Sequence, residues 1–150
     1  MDLEHLLLER ELHLVLCRYA RACDQHDWGA LQEVFAEDAT ANYGDSFHLA
    51  GRAAIVASIR SHLDGCGPSQ HLLGDLGVGA DAAAVTSRIY VRAAHRGAGD
   101  KAAITYETFA EYQDRWTHTG AGWRIGHRYM KVSYEVGSRE ILGPGTKDRG

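Results

Sequence analysis

Apolar residues recur at three- and four-residue steps through Leu8, Leu12, Val15, Leu16, Tyr19 and Cys23, while Glu9, Arg10, Glu11, Arg18 and Arg21 take the other faces. That period predicts an amphipathic helix over residues 3–24. Gln25-His26-Asp27 interrupts it, and Asp27 is placed to cap a second, shorter helix burying Trp28, Leu31, Val34 and Phe35. Residues 39–49, with Tyr43 and Phe47 on either side of Gly44-Asp45, have the pattern of a short hairpin. After Gly51 the helical period returns at Ile55, Val56, Ile59 and Leu63, until Asp64-Gly65-Cys66-Gly67-Pro68 ends a third helix.

From Ser69 the pattern changes. Residues 69–78, 82–95, 102–117 and 122–136 are long segments rich in Val, Ile, Tyr, Trp and Thr, separated by turn-forming stretches. Successive strands with short connections predict an antiparallel meander, and helices followed by a sheet make the class α+β. Segments of about 14 residues exceed the usual strand length, and long antiparallel strands twist and coil. The expected architecture is therefore a cone-shaped α+β barrel, with three N-terminal helices packed on a strongly curved, mostly antiparallel sheet that encloses a pocket. A single domain is expected over residues 1–150, with its core at about 3–136 and a Gly- and charge-rich tail, 137–150, that extends or frays.

Composition narrows the function classes. The net charge of -4 argues against nucleic-acid binding, which favours a basic face. No apolar run approaches the ~20 residues of a membrane helix. The opening MDLEHLLLERELHL carries acids where an export signal carries basic residues, so a cytoplasmic location is expected. Cys17, Cys23 and Cys66 are an odd count without paired spacing, as for reduced thiols.

One residue does not fit the helical pattern. Asp24 lies eight residues after Leu16 and four after Ala20, so it follows the apolar stripe. An acid there is costly unless it has a partner or a role. The nearby Asp27 is accounted for as a cap.

The stretch RYARACDQHDWGALQEVFAEDA, a short hairpin, then GRAAIVASIR, SQHLLGDLGV and GWRIGHR together resemble the SnoaL-like family. The family belongs to the superfamily of scytalone dehydratase, ketosteroid isomerase, hexachlorocyclohexane dehydrochlorinase and nuclear transport factors. The likeness spans roughly residues 5–135. It implies the fold more firmly than the activity, because this fold hosts unrelated functions. In the dehydratase and dehydrochlorinase members an Asp ending the first helix and a His opening the first long strand form a dyad, and Asp24 and His71 match those positions. The resemblance also puts His127 where the dehydrochlorinase has a basic leaving-group residue, and Tyr19 in the same space as an acid or hydrogen-bond donor.

The chemistry suits such a pair. Histidine, with an unperturbed pKa of about 6.5, can take a proton and return it, and a carboxylate on one ring nitrogen fixes the tautomer. Trp28, Tyr43, Trp123 and Ile125 are expected to wall a hydrophobic pocket. Strict alternation along the last strand places Trp123, Ile125, His127 and Tyr129 on one face and Arg128 on the other. His5, His13, His26, His48, His62, His95 and His118 have the character of surface or loop residues. No ligand spacing indicates a metal, the glycines do not form a phosphate loop, and no serine sits in a nucleophile elbow, so no cofactor is expected.

The expected function is a cofactor-independent lyase or isomerase, dehydratase- or dehydrohalogenase-like, acting on a hydrophobic, cyclic or polyketide-like small molecule. The alternatives are a polyketide cyclase or steroid-isomerase-like enzyme and a non-catalytic small-molecule-binding or assembly module. Apolar residues on both faces of 85–93 and 104–112 predict a homodimer or homotrimer built through the sheet.

Overall fold

The computed structural model describes residues 2–45 and 47–144. Helix α1, Leu3–Gln25, starts where the Asp2 side chain accepts from the His5 N–H at 2.9 Å. It ends at His26, whose left-handed backbone (φ 54°) returns its N–H to the Ala22 and Cys23 carbonyls. Leu12, Leu16, Tyr19 and Cys23 point into the core, as the period requires. Among the described residues, no helix is long and apolar enough to cross a membrane.

The second predicted helix is only a six-residue 3-10 turn, Trp28–Glu33, capped by the Asp27 carboxylate on the Ala30 N–H. Strand β1 already begins at Phe35, which leaves no room for a stable α-helix. β1 (Phe35–Tyr43) forms the predicted hairpin with the short β2 (His48–Ala50), and α2 spans Arg52–Leu63. The meander follows as β3 (Ser69–Ala80), β4 (Val85–Arg96), β5 (Thr105–Thr119) and β6 (Gly122–Gly137).

The cone-shaped, strongly curved barrel is not formed. The sheet is open and six-stranded, in the order β2-β1-β6-β5-β4-β3, and it is mixed because β1 runs parallel to β6. Closure would require the two edge strands to bond to each other in a staggered register. β2 has three residues and β3 twelve, so no matching ladder exists. Strand length alone therefore did not imply closure. The long strands instead accommodate their twist at irregularities between Gly74 and Gly77, at Ser133 and at Gly126.

α1 lies against β3 and β6 and α2 against β1 and β2, and one continuous apolar core joins both helices to the sheet. The start of the expected tail folds back instead of fraying. Gly143 donates to the His62 carbonyl and accepts from the Gly65 N–H, both at 2.8 Å, and Ile141 is buried. The close approach needs Gly65, where a Cβ would lie 2.5 Å from the Pro144 carbonyl oxygen. Residues 145–150 of that tail lie outside the described residues.

Candidate active site

The last turn of α1 brings Asp24 against the start of β3. Its Oδ1 accepts from His71 Nδ1 at 2.7 Å and from the Ser69 hydroxyl at 2.9 Å, and its Oδ2 accepts from the His71 backbone N–H at 3.0 Å. Burial pushes the Asp24 carboxyl up, but the His71 side chain, its backbone N–H, its charge and the Ser69 hydroxyl together hold it below the usual carboxylate value. A carboxylate can only accept, so Nδ1 carries a hydrogen, and in the neutral form of the ring the lone pair is then on Nε2. Among the described residues Nε2 makes no hydrogen bond, and His71 lines a cavity of about 340 Å³.

The cavity is mainly apolar and aromatic. Tyr19, Tyr43, Tyr106 and Tyr112 line it with Met130 and Leu142. The Tyr19 and Tyr43 hydroxyls lie 3.3 Å apart, and the Tyr19 ring meets His71 edge-on at 6.3 Å. Burial raises the pKa of both phenols against the opposing charge of Arg128, so they stay protonated and able to donate.

His95 is the second histidine of the cavity. On β4 it follows Ile89, Val91 and Ala93 at two-residue steps, and all four are buried. Its Nδ1 faces the Tyr106 carbonyl at 3.2 Å, which assigns the hydrogen to Nδ1. Its Nε2 is buried without a partner among the described residues, and its ring packs edge-on to His71 at 5.6 Å. Burial, reinforced by His71, lowers its pKa to about 4, so it is a neutral acceptor at ordinary pH. The surface assignment expected for His95 is thus wrong, although the alternation of β4 carried the signal.

Beneath the tyrosines lies Arg128, fully buried. Its Nε and Nη2 bind the Asp114 carboxylate at 2.8 and 2.9 Å, and its guanidinium stacks 3.8 Å from the Tyr112 ring centre and 4.4 Å from that of Tyr19. Burial opposes its charge, and Asp114 more than offsets that, raising its pKa. Its Nη1 has no hydrogen bond among the described residues.

The sequence profile of the SnoaL-like domain family matches residues 4–129. The chain belongs to the SnoaL-like family. No protein of curated function matches it at a significant level. Among solved structures it is similar to a candidate scytalone dehydratase from Novosphingobium aromaticivorans, at 16% identity over 94% of each chain with a TM-score of 0.79. It is also similar to the hexachlorocyclohexane dehydrochlorinase of Novosphingobium barchaimii, at 13% identity over 94% of this chain and 97% of that one, TM-score 0.77. A function-unknown protein from Mycobacterium tuberculosis matches at 23% identity over 87% of this chain and 74% of that one, TM-score 0.75. These likenesses establish a shared fold, and the proteins that share it include enzymes named as a dehydratase and a dehydrochlorinase.

In this SnoaL-like chain Asp24, His71, Tyr19 and Tyr43 converge, whereas the other four expected site residues do not line the cavity. Ile125 is wholly within the core. Trp28 stacks on His26 at 5.2 Å and donates to Asp64 at 3.2 Å, and Trp123 packs beside His118 at 4.7 Å. His127 faces the opposite side of the sheet, with its Nδ1 2.7 Å from the Thr40 hydroxyl and Arg115 and Tyr129 nearby. The cause is a bulge. Ile125 pairs with Trp116 and His127 with Arg115, which leaves Gly126 as an extra residue. A Cβ at Gly126 would sit 2.5 Å from the Thr117 hydroxyl, so glycine suits the bulge. Beyond it the alternation inverts, turning His127 outward and Arg128 inward.

Proposed function

We propose that this SnoaL-like protein is a cofactor-independent lyase or isomerase acting on a hydrophobic, ring-containing small molecule. The observation that carries the reading is the 2.7 Å hydrogen bond between Asp24 and His71 at the wall of an aromatic cavity. His71 Nε2 removes a proton from the carbon next to a carbonyl, and Asp24 stabilises the imidazolium that forms. The Tyr19 and Tyr43 hydroxyls donate to the carbonyl oxygen as its charge grows, with the Arg128 charge behind them. In an elimination the carbon–oxygen bond to the leaving hydroxyl breaks as the double bond forms. The imidazolium then gives its proton to the departing oxygen, so water is lost and the dyad restored. In an isomerisation the same proton returns to a different carbon. Elimination comes first, supported by the likeness of the fold to a candidate dehydratase and a dehydrochlorinase.

A non-catalytic binding module would be consistent with a dyad held apart or a cavity filled by side chains, and the bonded dyad and open cavity favour catalysis instead. The test uses cyclic β-hydroxy ketones, followed by the absorbance of the conjugated product and by exchange of the α-hydrogen in heavy water. His71→Ala and Asp24→Asn should each slow both signals by about 10²- to 10⁴-fold, the usual worth of a positioned acid–base group. Unchanged rates in both folded variants would refute the mechanism.

The partner surface is the face of the sheet turned away from the helices. Leu72, Tyr90, Tyr134 and Val136 are each more than half exposed there, and Phe109 stacks on Tyr134 at 4.3 Å. Four strands at ~4.8 Å spacing and about twelve residues at ~3.3 Å each present roughly 750 Å², close to the ~800 Å² per partner of a stable interface. Arg92 bonded to Glu107 sets both charges on this face, which suits pairing with a second copy of the chain.

A further inference from the structure

Ser69 stands at the anchor of the dyad, and the reaction as described does not use it. Its single hydroxyl hydrogen goes to Asp24 Oδ1 at 2.9 Å, the oxygen that also receives the His71 Nδ1–H at 2.7 Å. The other oxygen, Oδ2, is held by the His71 backbone N–H at 3.0 Å. Three donors therefore fix the plane and rotation of the carboxylate, and two of them share one oxygen. Strand geometry sets the arrangement, because residues two apart on β3 point to the same face and Ser69 pairs with His95 of β4 in the sheet register.

A carboxylate oxygen bonded to imidazolium alone gives that bond the full benefit of its charge. A second donor on the same oxygen draws part of that charge away and lowers the affinity of the ring for its proton. We propose that Ser69 is a positioning residue that sets the base strength of His71 by sharing Asp24 Oδ1 with it. The proposal rests on the reading of His71 as the base.

Other groups face the same space. They are Tyr19 and Cys23 on α1, Tyr43 on β1, His62 on α2, His95 on β4, and Tyr106 and Tyr112 on β5; Glu135 and Arg139 line the cavity, and Arg128 lies behind Tyr19. Among the described residues only Asp24 is hydrogen-bonded to the His71 ring, and only Ser69 and His71 donate to the Asp24 side chain. A change at position 69 therefore reaches His71 through Asp24.

The experiment is an NMR titration of the His71 imidazole nitrogens in the intact protein, which needs no substrate. Ser69→Ala should move the His71 midpoint up by about half a pH unit, the size of shift that one redistributed charge-assisted hydrogen bond produces. Ser69→Thr, which keeps the hydroxyl, should restore the wild-type midpoint. In an Asp24→Asn background, Ser69→Ala should produce no shift. An unmoved or lowered midpoint in Ser69→Ala would overturn the proposal, as would an equal upward shift in the Asp24→Asn background. Loss of turnover in the His71 variants is a separate measurement, so failure of the catalytic reading and failure of the Ser69 assignment are told apart.

Discussion

Removing the Asp114 carboxylate should be among the most damaging single changes in this protein. Asp114 and Arg128 are both wholly buried, and two hydrogen bonds of 2.8 and 2.9 Å join them. In Asp114→Ala the guanidinium keeps the faces of Tyr19, Tyr112 and, more distantly, Phe35, but its Nη1 has no hydrogen-bond partner among the described residues. Breaking a buried pair by deleting one member costs about 3–5 kcal/mol. Desolvated cation–π contacts of about 2 kcal/mol already exist in the wild type and do not make up the loss. At about 2–4 °C per kcal/mol for a chain of this size, the melting temperature should fall by about 6–20 °C. The double variant Arg128→Met, Asp114→Leu removes the charge together with its counter-charge and should recover most of the loss, because apolar replacements of buried pairs are often neutral. Urea unfolding followed by circular dichroism measures all three proteins. If Asp114→Ala loses less than about 1 kcal/mol, or the double variant is no better than the single, the pair does not hold the core as argued.

Two further outcomes follow, one from a buried group and one from an exposed face. His95 titrates at about 4 when folded against 6.5 when free, so between those values the unfolded chain binds the extra proton. Its contribution to stability is complete above pH 6.5 and falls as the pH drops towards 4, by about 3 kcal/mol in all. The urea midpoint of His95→Gln should lack this component, and an identical pH dependence in both proteins would show that His95 is not buried neutral. On the outer sheet face, Leu72→Asp with Tyr90→Asp should give a monomer in sedimentation at micromolar concentration while the wild type associates. A monomeric wild type would count against that interface.

What could be read along the chain was local. The three- and four-residue recurrence from Leu8 to Cys23 is a property of one helix, and structure and pattern agree on it within a residue or two. Strands β3 to β6 likewise follow from composition and turn signals, because a meander pairs each strand with its neighbour in sequence. Asp24 stood out as an acid on an apolar stripe. Its bond to His71 needed the family likeness to anticipate, since the two lie 47 residues apart.

Tertiary structure decided which face each residue shows. The presence of Gly126 did not reveal that β6 would gain an unpaired residue there, because a bulge is defined by the neighbouring strand, and that single residue exchanged the roles expected for His127 and Arg128. The same holds for β1 running parallel to β6, and for a sheet that stays open because β2 is too short to meet β3. His95 looked like one histidine among several until Tyr106 and His71 were packed against it. Periodicity records how a segment divides its faces, and it determined the first and third predicted helices, the long strands and the misplaced acid, but not the second helix, which is a 3-10 turn. Pairing register and burial are relations between distant segments, and they decided which of the candidate residues share one cavity.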